Sequence, residues 1–107
     1  MPRPRSPRYL LPAAALAVAC MGLPAQADQA LAAASNCMGC HRIDKRLVGP
    51  PFKDIAARYR GDQTAVDRLA AKIRQGGTGV WGVQHMPANP QVSEADARKL
   101  AAWVLSL

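Results

Sequence analysis

The chain has 107 residues and a formal charge of +7, from 14 Lys or Arg against 7 Asp or Glu. A chain of this length predicts one domain and excludes a second hydrophobic core. Only 5% of the residues are aromatic and there is a single phenylalanine. The hydrophobic core is therefore expected to be small and to need stabilisation by covalent links or a bound cofactor.

Residues 1–27 have the three parts of a secretory signal. Three arginines and no acidic residue precede an apolar run over residues 9–23, and Ala-Gln-Ala follows at residues 25–27. This pattern predicts a signal peptide that is cleaved before Asp28, leaving a domain over residues 28–107. Retention of the apolar run as a membrane anchor is the alternative, although the run is short for a span.

Removal of that segment changes both the charge and the cysteine count. Three of the 14 basic residues and Cys20 leave with it, so residues 28–107 carry a charge of +4 and two cysteines. The smaller charge weakens any nucleic-acid function, and none is predicted. The periplasm is the expected location, where an unprotected pair of cysteines would tend to form a disulfide.

A first helix is predicted to begin at Asp28 and to end before the main motif, Cys-Met-Gly-Cys-His, at residues 37–41. Cys-x-x-Cys-His is the attachment signature of c-type haem. The thiols of Cys37 and Cys40 are expected to form thioethers with the porphyrin, and the imidazole of His41 to bind the iron from one face. The motif therefore predicts one covalently bound haem c.

Two other chemistries share the Cys-x-x-Cys pattern. A structural zinc site needs four ligands, and the candidates outside the motif are Cys20 and His85. A thioredoxin-like dithiol needs a strand–helix–strand frame, which the helix and loop around the motif do not predict. Haem attachment is therefore the favoured interpretation.

Three more helices are predicted after the Gly-Pro-Pro break at residues 49–51. The second covers residues 52–59, the third begins after Thr64 and ends at Gly76, and the fourth is capped by Ser93. No strand is predicted, so the fold class is all-α, with about four helices around the haem. The apolar face of the fourth helix, with Trp103 at its edge, consists of Ala97, Leu100, Ala101 and Val104.

The long loop over residues 76–90 predicts a second iron ligand. Met86 is the only methionine of residues 28–107 outside the attachment motif, and thioether sulfur is a soft ligand for haem iron. His85 is the competing ligand, because imidazole also binds iron. The side chains of adjacent residues diverge, so only one of the two is expected to face the iron. Met86 is favoured because Pro87 follows it and stiffens the backbone.

Two further residues are expected at the site. The carbonyl of Pro50 can accept a hydrogen bond from the second ring nitrogen of His41, which would orient the ligand and raise its basicity. The indole N–H of Trp81 is a donor only and can bond a haem propionate. A tryptophan that merely packs in the core is the alternative.

Five blocks resemble the small bacterial class I cytochromes c of the c-551/c-552 type: Cys-Met-Gly-Cys-His at 37–41, Val-Gly-Pro-Pro-Phe-Lys-Asp at 48–54, Gly-Val-Trp-Gly at 79–82, Met-Pro at 86–87 and Ala-Trp-Val-Leu-Ser at 102–106. The resemblance implies the class I cytochrome c fold, with the first and last helices crossing. It implies His41 and Met86 as axial ligands and Asn89 as a donor to the ligand sulfur. His85 departs from the family, in which proline often holds this position.

With both axial positions filled, no iron position is left for a substrate, so the sequence predicts a one-electron carrier and not an enzyme. The resemblance implies a monomer that meets its partners briefly, the cytochrome bc complex as donor and nitrite reductase or a terminal oxidase as acceptor. Lys45 and Lys53 are expected to guide this docking. The alternatives are a haem subunit of a larger dehydrogenase, or an open-site peroxidase or gas sensor if Met86 does not bind iron.

Overall fold

The computed structural model describes residues 1–17 and 24–107, so Cys20 and the end of the apolar run lie outside the described residues. Residues 1–17 are exposed and have no regular secondary structure. Within these two ranges, no helix is both long enough and apolar enough to cross a membrane.

Four α-helices form the framework of the described chain: α1 (Pro24–Ala34), α2 (Phe52–Arg58), α3 (Ala65–Gln75) and α4 (Glu94–Leu105). A short 3₁₀ helix covers Cys37–Gly39. The predicted all-α framework is thus confirmed. The helix α1 begins at Pro24, ahead of the predicted start at Asp28, because proline is well tolerated at the first helical position and an alanine-rich segment follows it.

The helix ends show which capping predictions were correct. The Ser93 hydroxyl accepts a hydrogen bond from the Asp96 N–H at 3.0 Å, and Gly76 ends α3 with φ of 69°, both as predicted. Thr64 precedes α3, but its side chain does not cap the helix. Its N–H and its hydroxyl both donate to the carboxylate of Asp62, at 2.9 and 2.7 Å. The carboxylate is the stronger acceptor and draws the threonine away from the helix.

The core is centred on α4, which contacts α1, α2 and α3. Trp103, expected at the edge of the apolar face, is only 4% exposed and belongs to the core. Its ring meets the ring of Phe52 edge-on, with centroids 5.5 Å apart and an interplanar angle of 73°. The four side chains predicted to form the apolar face are all buried: Ala97, Leu100, Ala101 and Val104.

Within the loop predicted for residues 76–90, the chain forms a β-hairpin, so the prediction of no strand was wrong. Strand β1 (Gly77–Gly79) pairs antiparallel with β2 (Gly82–Met86). Both strands are mostly exposed and rich in glycine, so no alternation of apolar and polar residues reveals them in the sequence. Gly77, Gly79 and Gly82 have φ of 139°, 112° and 108°, a region that glycine alone enters readily.

Candidate functional site

One cleft brings together most of the residues predicted for the site. Its empty space is about 1150 Å³, including the part open to solvent, and most of its lining side chains are apolar. The attachment motif, the loop that follows it, the hairpin and α4 all contribute to its walls. Of the residues predicted for the site, the cleft is lined by Cys37, Cys40, His41, Pro50, Trp81 and Met86.

The attachment motif is held in one tight turn. Asn36, with φ of 64°, reverses the chain at the end of α1 and is the one non-glycine residue with positive φ in the described ranges. The N–H groups of Cys40 and His41 then donate to the carbonyl of Cys37, at 3.2 and 3.0 Å. Both cysteines are unpaired thiols, and burial raises the pKa of the Cys37 thiol. The turn therefore brings two thiols and an imidazole to one space.

The imidazole of His41 is buried and its orientation is determined by its neighbours. Its Nδ1 lies 2.8 Å from the carbonyl oxygen of Pro50. A carbonyl can only accept, so Nδ1 carries the proton and the lone pair of Nε2 is left for a metal. Phe52 stacks on the ring, with centroids 5.1 Å apart and planes at 18°. The contact with Pro50 is the one expected from the sequence.

Gly49 also shapes the site, although the Gly-Pro-Pro sequence at residues 49–51 predicts only a break in the chain. A Cβ at residue 49 would stand 2.5 Å from Cε1 and 2.8 Å from Nδ1 of His41. No side chain can occupy that space without moving the imidazole. The block at residues 48–54 that carries the resemblance contains Gly49. The need for glycine there comes from its contact with His41 across the loop.

Met86 ends β2 and is half-buried on the wall of the cleft. Gly76 approaches its backbone so closely that a Cβ at residue 76 would lie 2.4 Å from the Met86 carbonyl oxygen. His85 also lines the cleft, but it is exposed. The hairpin therefore presents a thioether and an imidazole to the same space, with the thioether more deeply placed.

Asn89 does not line the cleft. Its side-chain nitrogen donates to the carbonyl oxygens of Ile73 at 3.0 Å and Pro87 at 3.3 Å, and its backbone N–H reaches the carbonyls of Ile73 and Arg74, both at 3.2 Å. These contacts join the segment after Met86 to the end of α3. A bond from Asn89 to the sulfur of Met86, which the resemblance implies, stays a prediction.

Trp81 occupies the turn between the two strands, and its half-buried ring packs against the core. The guanidinium of Arg58 lies 5.2 Å from the ring centroid, within cation–π distance. Lys72 also lines the cleft, and its Nζ lies over Gly77, where a Cβ would approach it to 2.7 Å. Two donors, the indole N–H and an ammonium, are therefore available at this side of the cleft.

The donor set fits a covalently held haem. The cleft combines two thiols in one turn, an imidazole with a free Nε2 lone pair and a thioether from a distant part of the chain. A largely apolar cleft suits a porphyrin, while nitrogen and thioether sulfur are suitable axial ligands for its iron.

Comparisons with known proteins agree with this chemistry. The family model for cytochrome c matches residues 25–107. The chain is 51% identical over 83 residues to cytochrome c-552 of Nitrosomonas europaea, covering 78% of this chain and 81% of the relative. It is 44% identical over 102 residues to cytochrome c-551 of Stutzerimonas stutzeri, covering 94% and 97%.

The fold agrees as well. The crystal structure of wild-type Nitrosomonas europaea cytochrome c552 superposes with a TM-score of 0.71 at 47% identity, over 73% of this chain and 96% of that structure. The family match, the fold and the chemistry of the cleft all support the same assignment. The chain belongs to the cytochrome c family, as a class I c-type cytochrome of the c-551/c-552 group.

Proposed function

We propose that this chain is a periplasmic one-electron carrier in which residues 28–107 hold a single haem through Cys37 and Cys40, with His41 and Met86 as axial ligands. The observation that carries the proposal is the shared cleft: two separate segments of the chain bring all four of these side chains to its walls. Membership of the family supports covalent attachment of a c-type haem. The bound group supplies reversible one-electron chemistry at its iron.

The protein's own contribution is to hold and tune the ligands. The hydrogen bond from Nδ1 to Pro50 makes His41 a more basic ligand and stops its ring from rotating. Phe52 and Gly49 limit the ring on its other sides. The thioether of Met86 favours the reduced iron and raises the reduction potential. With both axial positions filled, no position is left for a substrate, which supports a carrier and not an enzyme.

At the side of the cleft formed by the hairpin, we assign the haem propionates to Trp81 and Lys72. The indole N–H is a donor only, and the ammonium adds a positive charge beside it. Arg58, over the tryptophan ring, holds the indole on the wall. Asn89 is assigned to the support of the Met86 segment.

Partner proteins would approach at the mouth of the cleft. Val48 and Val80 line the cleft and are still 42% and 44% exposed, so they mark its mouth. Arg46 lines the cleft beside them, and Lys45 and Lys53 are exposed on nearby segments. An apolar centre with basic neighbours suits brief docking by a monomer to acidic redox proteins, with the cytochrome bc complex as donor and nitrite reductase or a terminal oxidase as acceptor.

The test is an absorption spectrum of the protein purified from the periplasmic fraction, oxidised and reduced, together with its N-terminal sequence. We expect a haem c spectrum, a sulfur-to-iron charge-transfer band in the oxidised form and a chain that begins at Asp28. A bis-imidazole spectrum would assign the sixth position to His85 instead. Rapid binding of carbon monoxide to the reduced protein would contradict a closed carrier and favour an open haem site.

A further inference from the structure

We propose that His85 is a reserve axial ligand, which takes the iron position of Met86 when the thioether is lost or oxidised. The proposal rests on the proposed function, because it needs Met86 to be the resting ligand. It assigns a role to His85, which has none in the proposed electron-transfer function. Its physical basis is the hairpin, in which the backbone at Met86 is anchored and the bulged segment that contains His85 is able to bend.

The two side chains are neighbours in β2, and both line the cleft. Met86 is half-buried, whereas His85 is exposed and, in the described part of the chain, forms no hydrogen bond through its imidazole. Moving the imidazole therefore breaks no side-chain hydrogen bond of the described chain. Imidazole is also a good ligand for haem iron, so an opened position would be favourable for it to occupy.

Strand β2 has more residues than β1 between the two pairing positions. Gly77 pairs with Met86, and Gly79 pairs with Gly82. One residue separates the pairing positions in β1, but residues 83–85 separate them in β2. Such a bulge leaves the additional residues unpaired and lets the strand bend. His85 belongs to this unpaired segment, directly before the last paired residue.

The two ends of the hairpin differ in rigidity. At the Met86 end, Gly76 lies against the Met86 carbonyl, and Asn89 bonds the carbonyls of Ile73 and Arg74. At the other end, Gly79 and Gly82 have positive φ, and a Cβ at either would meet nothing within 4 Å. The backbone before His85 thus contains glycines with open space around them, while hydrogen bonds and close packing hold the backbone after it. Rotation at residues 82–85 brings the imidazole inward without unfolding α3.

The natural trigger is oxidation of Met86 by a hydroperoxide. The sulfur attacks the terminal oxygen, the O–O bond breaks, and the oxygen atom remains on sulfur as a sulfoxide while water or an alcohol leaves. The sulfoxide is polar, and its sulfur is a weaker donor to iron than the thioether sulfur. The imidazole of His85 would then hold the group in place of the thioether, so that the damaged protein would have a lower reduction potential and no open position for peroxide.

Variants of the full-length holoprotein test this directly. We expect Met86→Ala to remain low-spin with a bis-imidazole spectrum and to resist carbon monoxide, and the double variant Met86→Ala/His85→Ala to become high-spin and to bind carbon monoxide. Gln84→Ala combined with Met86→Ala is the matched control, because residue 84 is the exposed neighbour on the same wall. It should behave like Met86→Ala alone.

The outcomes separate this proposal from the proposed function. An open, carbon monoxide-binding Met86→Ala protein overturns the reserve ligand, and so does a double variant that stays low-spin, since another residue then holds the iron. If the unmodified protein itself lacks the sulfur-to-iron band, the assignment of Met86 as resting ligand fails instead.

A second experiment needs no substitution in the hairpin. Peroxide treatment of the unmodified holoprotein, with peptide mapping to confirm one added oxygen on Met86, should replace the sulfur-to-iron band by a bis-imidazole spectrum. The reduction potential should fall at the same time. Conversion to a high-spin spectrum upon oxidation of Met86 would contradict the proposal even if the variants fail to fold.

Discussion

The imidazole of His41 packs directly against Gly49, so that a Cβ at residue 49 would stand 2.5 Å from its Cε1. The next residue, Pro50, accepts the hydrogen bond from Nδ1 of the same ring. Two consecutive residues therefore set the position of the imidazole, one by the absence of a side chain and the other by its carbonyl.

Gly49→Ala is expected to displace the imidazole. The added methyl group overlaps the ring, and overpacking of this kind costs about 1–3 kcal/mol of unfolding free energy. The matched control is Gly39→Ala in the attachment turn, where a Cβ meets nothing within 4 Å. Denaturant unfolding and the reduction potential of both holoproteins check the prediction. Equal stability and equal potential in the two variants would contradict the role of Gly49.

Asn89→Ala is expected to weaken the attachment of the Met86 segment to α3. The variant loses the side-chain hydrogen bonds to Ile73 and Pro87, and a typical protein hydrogen bond contributes about 1 kcal/mol. Unfolding free energy should fall, while the sulfur-to-iron band persists. Gln63→Ala, at an exposed position, serves as the control and should leave stability nearly unchanged. A shifted band with unchanged stability would instead support a bond from Asn89 to the sulfur.

Asp62→Asn is expected to lower stability only where the carboxylate is charged. Hydrogen bonds from the Thr64 hydroxyl and N–H, followed by the charge of Arg68, hold the pKa of Asp62 below its ordinary value. A pKa lower in the folded than in the unfolded chain stabilises the fold above the unfolded pKa, and this contribution is lost as the pH falls through the folded pKa.

The melting temperature of Asp62→Asn should therefore lie below that of the unmodified protein at neutral pH, and the difference should shrink below about pH 4. Asp44→Asn removes the same charge from an exposed loop position and should show a smaller difference. A difference for Asp62→Asn that stays constant down to pH 2 would mean that the carboxylate charge plays no part.

Lys45→Gln and Lys53→Gln are expected to slow electron transfer from the proposed donor, the cytochrome bc complex, at low salt. Each substitution removes a positive charge near the proposed docking face, and steering by such charges weakens as ionic strength rises. Stopped-flow rates should converge with the unmodified protein near 1 M salt, where the Debye length is about 3 Å. Lys99→Gln, on the exposed side of α4, is the control for net charge. Equal slowing by Lys99→Gln would argue against this docking face.

Much of the fold could be predicted because its signals are local. The Ser93 cap and the Gly76 helix end depend on residues within one turn, and both are present in the structure. The buried face of α4 follows from helical spacing alone. The hairpin could not be predicted in this way, because glycine at positive φ permits its turns without any apolar pattern.

The attachment motif and the four-helix pattern were determined by the sequence by itself, since each depends on the identity and spacing of nearby residues. Only the tertiary structure decided that Gly49 lies against His41 and that Asn89 holds the end of α3. It also decided that His85 and Met86 line the same cleft. These relationships are contacts across a loop or between the hairpin and α3, and their distances arise only when the helices pack around α4.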